Sequence, residues 1–116
     1  MSDNNIATAI AYYDAYNKKD IVSITRYSHP DIHFIAPMGE SNGRDSVLEA
    51  VKRFLTVIKK IEIREKFSFN DQVMLVYDLI YGESSALCRT AVLMNFKENL
   101  ITRLELFYDV RPFGNL

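Results

Sequence analysis

The sequence predicts an α+β domain in which three helices from the N-terminal half pack on one face of a curved, mixed or antiparallel sheet. Two observations lead to this fold class. Apolar residues recur with helical spacing up to about residue 60, and beyond it they alternate with the period of a strand. The 116 residues contain no linker, repeat or low-complexity segment, so we expect a single domain over residues 1–116.

Each of the three helices is predicted from an apolar stripe or a cap. The first covers about residues 4–17, where apolar side chains recur at i, i+3, i+4 and i+7. The members of that stripe are Ala9, Tyr12, Tyr13 and Tyr16. Asp20 is the expected N-cap of a short second helix, IVSITRYS. The third helix is expected over about 44–60, with Lys59 and Lys60 at the negative end of its dipole.

The stretch HPDIHFIAPMGESNGRDSV, residues 29–47, predicts a strand that ends abruptly between the second and third helices. We expect a turn at His29-Pro30-Asp31 and a strand over residues 32–36. Pro37 and Gly39 would end that strand, and the segment GESNGR would form a glycine-rich loop that enters the third helix.

Four long strands joined by tight turns are predicted in the second half of the chain, as an antiparallel meander. Their sequences are KIEIREKFSFN, QVMLVYDLIYG, SSALCRTAVLMNF and LITRLELFYDV. In the first strand, alternation places one set of apolar side chains on a common face. The members of that set are Ile61, Ile63, Phe67 and Phe69.

The second and third of these strands are apolar on both faces. Helices are available to cover only one face, so the outer face would remain an exposed apolar patch. We therefore expect a homodimer through the outer sheet face. The alternative is that a loop or the C-terminal tail covers it.

Composition excludes several classes of function. The net charge is −1 and no basic stripe is present, which disfavours nucleic-acid binding. The start of the chain lacks the pattern of a signal peptide, and no apolar run approaches the ~20 residues that span a bilayer. A lone cysteine, Cys88, fits a reducing compartment, so we expect a cytoplasmic protein. His29 and His33 have no carboxylate cluster nearby, so we expect no metal and no cofactor.

Three stretches resemble one family in their order and spacing: AYYDAYNKKDIVSI, HPDIHFIAPMGESNGRDSV and LITRLELFYD. Together they resemble the nuclear transport factor 2-like superfamily, in its SnoaL-like and ketosteroid isomerase-like branch. The resemblance implies a cone, or cystatin-like roll, in which a bent sheet wraps a helix and leaves an apolar pocket. It also implies that the other sheet face often forms a homodimer.

The resemblance also implies where catalytic groups would lie. Isomerases of this family use a tyrosine on the first helix, a general-base aspartate just before the proline, and a protonated aspartate on a later strand. By position these fall on Tyr12, Ala36 and Val92. An aspartate used by a related epoxide-hydrolysing branch falls on Leu106. Alanine, valine and leucine transfer no protons, so a steroid-isomerase mechanism is not expected.

The pocket is therefore expected to have a largely apolar wall with a few phenol groups. Alternation along the last strand places Leu106 and Tyr108 on the pocket face. Tyr12 and Tyr16 could instead be core aromatics. The full set of candidate pocket residues is Tyr12, Tyr16, Phe34, Ala36, Phe54, Tyr77, Val92, Met94, Leu106 and Tyr108.

A few acidic residues are candidates for proton transfer. Glu65 interrupts an apolar face; it would suit proton transfer if buried, or point to water at a bulge. Asp78 interrupts an apolar run and faces Arg89 or a dimer partner in the expected register, so we expect a structural ion pair. Glu105 or Asp109 could serve only if a bulge reversed the alternation of the last strand. The roles of Glu65, Asp78 and Glu105 stay open.

We interpret the sequence as that of a protein that binds a small, largely apolar molecule in the cone. Whether the protein is an enzyme stays open. One alternative is an isomerase- or cyclase-type enzyme whose acid or base is not yet placed. Another is a non-catalytic module for protein association.

Overall fold

The structure, a computed structural model, describes residues 2–113 of the chain and confirms the α+β prediction. The chain forms three helices and a curved sheet that does not close. Two helices come before the first strand, and the third lies between the second and third strands. The helices are α1 (Ser2–Asn17), α2 (Ile21–Tyr27) and α3 (Arg44–Leu55). The strands are β1 (Ser28–Ala36), β2 (Gly39–Asn42), β3 (Ile58–Phe69), β4 (Gln72–Tyr81), β5 (Ala86–Lys97) and β6 (Leu100–Tyr108). A 3-10 turn follows at Arg111–Phe113.

The six strands form one mixed sheet in the order β2-β1-β6-β5-β4-β3. Strands β3 to β6 are the expected antiparallel meander, while β1 runs parallel to β6. Helix α1 packs on β3 and β4, and α3 packs on β1. The helices therefore cover the inner face of the sheet and leave the outer face uncovered by any described element.

The expected cap of α2 is confirmed. The Asp20 carboxylate accepts hydrogen bonds from the Ser23 hydroxyl at 2.7 Å and from the Ser23 backbone N–H at 3.1 Å. These bonds lower the pKa of Asp20 because they stabilise its charged form. The cap fixes the start of α2 and, through it, the direction in which β1 leaves.

Helix α3 is shorter than predicted. It ends at Leu55, and Lys59 and Lys60 belong to β3. The β-branched sequence TVI disfavours helix from Thr56 onward. Lys19 then captures the freed carbonyl of Leu55 and also that of Ile58.

The segment before α3 contains more strand than predicted. His29-Pro30-Asp31 lies within β1, not in a turn, and β1 begins at Ser28. Part of the expected loop GESNGR is the strand β2, which pairs with β1 from Ala36 opposite Gly39. The prediction missed β2 because its four residues carry no apolar alternation.

A bulge in β3 reverses which side chains face the core. The pairing with β4 shifts between Ile63 and Glu65, so one extra residue is inserted at Arg64. Beyond it, Phe67 and Phe69 lie on the outer face and are 58% and 73% exposed. The prediction that they share a face with Ile61 and Ile63 is wrong for that reason.

The free edge of β3 is held by one side chain from α1. The Asn17 amide donates to the Ile61 carbonyl at 2.9 Å and accepts from the Ile61 N–H at 2.7 Å. The amide therefore replaces a neighbouring strand at this point of the edge. Helix α1 is thereby fixed above the inner face, next to the cavities described below.

Candidate ligand-binding site

Two adjacent cavities lie between the helices and the inner face of the sheet. The first has a volume of about 130 Å³ and the second about 160 Å³. The first is lined by Tyr13, Tyr16, Phe34, Ala50, Val51, Phe54, Tyr77 and Leu106. The second is lined by Phe54, Val57, Tyr77, Leu79, Tyr81, Cys88, Thr90, Leu106 and Tyr108. Phe54, Tyr77 and Leu106 line both and so mark the junction between them.

The periodicity of each element delivers these side chains. Tyr13 and Tyr16 lie one turn apart on the inward face of α1. Phe54 comes from the last turn of α3. Tyr77 and Leu106 occupy inward positions of β4 and β6, where side chains alternate between the two faces. The site is thus assembled from α1, α3 and the two strands β4 and β6, which are distant from one another in sequence.

The polar groups that the described residues present in the walls are all neutral. Phenol hydroxyls come from α1, β4 and β6, and the second cavity adds the Thr90 hydroxyl and the Cys88 thiol. Among the described residues that line the cavities, none is Asp, Glu, His, Lys or Arg. These described residues therefore supply hydrogen bonds but no carboxylate or imidazole that could exchange a proton at neutral pH.

Four buried tyrosines form two pairs beside the first cavity. The hydroxyl oxygens of Tyr12 and Tyr16 lie 2.8 Å apart. The rings of Tyr13 and Tyr77 have centroids 5.0 Å apart and are tilted by 45°. Burial raises the pKa of all four hydroxyls above the ordinary tyrosine value, because a phenolate would lose its hydration. All four remain protonated at neutral pH.

Six of the candidate pocket residues lie at the cavities, and the other four do not. Those that line a cavity are Tyr16, Phe34, Phe54, Tyr77, Leu106 and Tyr108. Tyr12 is fully buried, with its hydroxyl against that of Tyr16. Val92 and Met94 are fully buried in the packed core of β5. Ala36 is half-buried at the end of β1 and lines neither cavity.

Sequence reasoning missed the remaining lining residues. They are Tyr13, Ala50, Val51, Val57, Leu79, Tyr81, Cys88 and Thr90. Alternation could have found Leu79, which shares its face with Tyr77, and Thr90, which shares its face with Val92. The helical stripe could have found Tyr13. Cys88 is buried, as expected, and its position in a cavity wall had no signal in the sequence.

The candidate acids all lie away from the cavities. Glu65 is exposed beside the bulge of β3. Asp78 is buried on the outer face, where its carboxylate contacts Arg64 at 2.8 Å and Arg89 at 3.3 Å. Glu105 pairs with Arg103 at 2.8 Å on the same face.

Asp109, His29 and His33 also form their contacts outside the cavities. Hydrogen bonds from the exposed Arg111 lower the pKa of Asp109 to about 2, so this carboxyl stays charged. His29 accepts a hydrogen bond from the backbone N–H of Asp31. His33 contacts Glu40 at 2.7 Å. Within residues 2–113, no group of three or more His, Cys, Asp or Glu side chains could hold a metal ion.

Comparison with known families decides the classification. The SnoaL-like domain matches residues 9–104, most of the chain. The chain belongs to the SnoaL-like family. Similar solved structures include proteins named NTF2-like, so the fold is nuclear transport factor 2-like. No curated protein matches the chain by sequence.

Three solved structures illustrate the similarity. A protein from Kribbella flavida DSM 17836 is 23% identical with a TM-score of 0.87, over 95% of this chain and 90% of that one. TerC, co-crystallised with polyporic acid, is 21% identical with a TM-score of 0.81, over 97% of both chains. A candidate polyketide cyclase from Sinorhizobium meliloti is 16% identical with a TM-score of 0.80, over 87% of this chain and 94% of that one. At these identities the likeness shows the fold alone.

In the part of the chain that the structure describes, no helix has both the length and the apolar character needed to cross a membrane.

The buried tyrosines predict how stability depends on pH. A raised folded-state pKa favours the folded protein fully below the unfolded value of about 10, and this contribution is lost as pH rises above it. We expect at least Tyr12, Tyr13, Tyr16 and Tyr77, among the seven tyrosines, to ionise only as the protein unfolds. Phenolate absorbance and far-ultraviolet circular dichroism, followed together through an alkaline titration, test this. All seven tyrosines ionising near pH 10 with the fold intact would contradict it.

Proposed function

We propose that the protein binds a small, neutral, largely apolar molecule in the two cavities and performs no acid–base chemistry on it. The observation that carries this proposal is the composition of the walls. They combine apolar surface with protonated hydroxyls, and the described lining residues include no charged group.

The cavity volumes set the size of the ligand. An engineered apolar cavity of about 150 Å³ in another protein holds one benzene ring. Cavities of about 130 and 160 Å³ are therefore each the size of one ring or a comparable apolar group. A ligand with two such parts would fill both.

The electrostatics of the cavities favour a neutral ligand over an anion. An unpaired charge placed in an apolar site loses its hydration, at a free-energy cost of several kcal/mol or more. No described lysine, arginine or histidine lines either cavity to compensate. A carbonyl, ether or phenol oxygen could instead accept or donate a hydrogen bond at a tyrosine.

The described lining residues include no acid or base, which supports binding over the enzymatic alternative. An isomerase or cyclase that moves a proton next to a carbonyl needs a group that titrates near neutral pH. The candidate acids Asp78, Glu105 and Asp109 instead pair with arginines on other surfaces. Support for ligand binding also comes from TerC, which was crystallised with polyporic acid. A module for protein association alone would not need two internal cavities.

We further propose that a second copy of the chain covers the outer face of the sheet. This face carries half-buried or exposed apolar side chains from neighbouring strands, an arrangement that monomers rarely leave open to water. They are Phe67, Met74, Val76, Ile80, Ala91, Leu93 and Phe107. The single cysteine, buried and unpaired, supports placing this dimer in the reducing cytoplasm.

A shape-matched pair of probes tests the ligand class. 2-Acetylnaphthalene and 2-naphthoate have the same ring system and carbonyl group. The ketone carries a methyl group where the carboxylate carries a charged oxygen. We expect the neutral ketone to bind at least about tenfold more tightly, since the unpaired carboxylate loses hydration. Isothermal titration calorimetry measures both affinities. Equal or tighter binding of the carboxylate would contradict the proposal.

A cavity-filling variant shows whether binding occurs in these cavities. Ala50→Leu adds a side chain to the wall of the first cavity, whereas Ala7→Leu adds the same group on an exposed position of α1. We expect Ala50→Leu to lower the affinity for the ketone by about tenfold or more, and Ala7→Leu to leave that affinity unchanged. An unchanged ketone affinity in folded Ala50→Leu would place the binding site elsewhere.

The oligomeric state tests the proposed interface. We expect light scattering after size exclusion to give twice the chain mass of 13.4 kDa. Leu93→Lys, at the centre of the outer face, should yield a monomer because it places a charge in the buried contact. Val22→Lys, on an α2 residue that is 64% exposed, should remain dimeric. A monomeric wild type at tens of micromolar would refute the interface.

A further inference from the structure

Tyr77 occupies a special position in the site. Of the three residues that line both cavities, Phe54 and Leu106 present only carbon atoms, and Tyr77 alone carries a polar group. Its side chain comes from the centre of β4 and is only 2% exposed. Among the described residues that form the junction between the two apolar spaces, Tyr77 therefore supplies the one hydroxyl and none supplies a charge.

We propose that Tyr77 is the hydrogen-bond donor that orients the ligand, and that the ligand consists of two apolar lobes flanking a neutral oxygen acceptor. One lobe would lie in each cavity, and the oxygen would lie between them at the Tyr77 hydroxyl. This inference rests on the proposed function, since it specifies the ligand of the same site.

Tyr13 packs against Tyr77 beside the first cavity. The two rings are in contact, with centroids 5.0 Å apart. Burial is the main cause of the raised pKa of both hydroxyls. The Tyr77 hydroxyl therefore stays protonated at neutral pH and retains its hydrogen.

The other polar groups of the walls are less well placed for this role. The Tyr16 hydroxyl is 2.8 Å from that of Tyr12, in the first cavity only. The Thr90 hydroxyl lies 3.7 Å from the Cys88 sulfur, in the second cavity only. Tyr81 and Tyr108 also line only the second cavity. None of these groups reaches both halves of a ligand that spans the junction.

Two probes with the proposed shape test the assignment. Benzophenone has two rings flanking a carbonyl, and diphenylmethane has the same two rings flanking a methylene group. We expect the wild type to bind benzophenone about threefold to tenfold more tightly than diphenylmethane, the effect of one hydrogen bond. In Tyr77→Phe, the benzophenone affinity should fall to that of diphenylmethane, while the diphenylmethane affinity stays unchanged.

The control variant is Tyr27→Phe, which removes a phenol hydroxyl outside both cavities. It should retain the preference for benzophenone. A second readout needs no variant: the carbonyl stretch of bound, ¹³C-labelled benzophenone should lie at lower wavenumber than in an alkane solvent. An unshifted stretch would overturn the proposal even if Tyr77→Phe failed to fold.

The outcomes separate this inference from the proposed function. Equal wild-type affinities for the two probes would refute the role of Tyr77 but leave apolar binding intact. A benzophenone preference that survives in folded Tyr77→Phe would assign the hydrogen bond to another residue and also refute it. If neither probe binds, both this inference and its two-lobed ligand fail, and the naphthyl ketone decides whether the cavities bind any neutral ligand.

Discussion

The burial of four tyrosine hydroxyls between α1 and the sheet is the constraint on which the site depends. A buried hydroxyl without a partner costs on the order of 1–3 kcal/mol, so each must be matched as the helix docks. The pairs Tyr12–Tyr16 and Tyr13–Tyr77 provide that match. The four rings pack against one another at tilted or edge-on angles, with centroids 5.0–5.1 Å apart. Tyr13, Tyr16 and Tyr77 of this cluster also line the first cavity.

The neutrality of the cavities follows from where the charges are accommodated. The bulge at Arg64 turns the second half of β3 over and brings that arginine to the Asp78 carboxylate on the outer face. Arg103 holds Glu105 on the same face. Ion pairs and apolar residues thus share the outer surface, while the polar groups of the described cavity walls are limited to hydroxyls and a thiol. In the proposed function, the two faces of one sheet serve separate purposes: ligand binding inside and association of two copies outside.

The periodicity of apolar residues predicted most of the fold, because the spacing of buried side chains along the sequence matches the period of the helix or strand that buries them. Periodicity failed where the pairing of two strands decides which face a side chain occupies. The bulge that moves Phe67 and Phe69 to the outer face depends on the register with β4, which no local pattern reveals. The site was predicted in part for a similar reason. Val92 shares the inner face with Tyr77, but whether a position meets core or cavity depends on how far α1 and α3 stand from the sheet.

The most direct test of the two cavities is a crystal structure under xenon pressure, because xenon enters empty apolar cavities without needing a specific contact. We expect xenon atoms in both cavities, on either side of the junction formed by Phe54, Tyr77 and Leu106. Side chains that fill the space and exclude xenon from both cavities would contradict it. The inner face would then be a packed core and not a binding site.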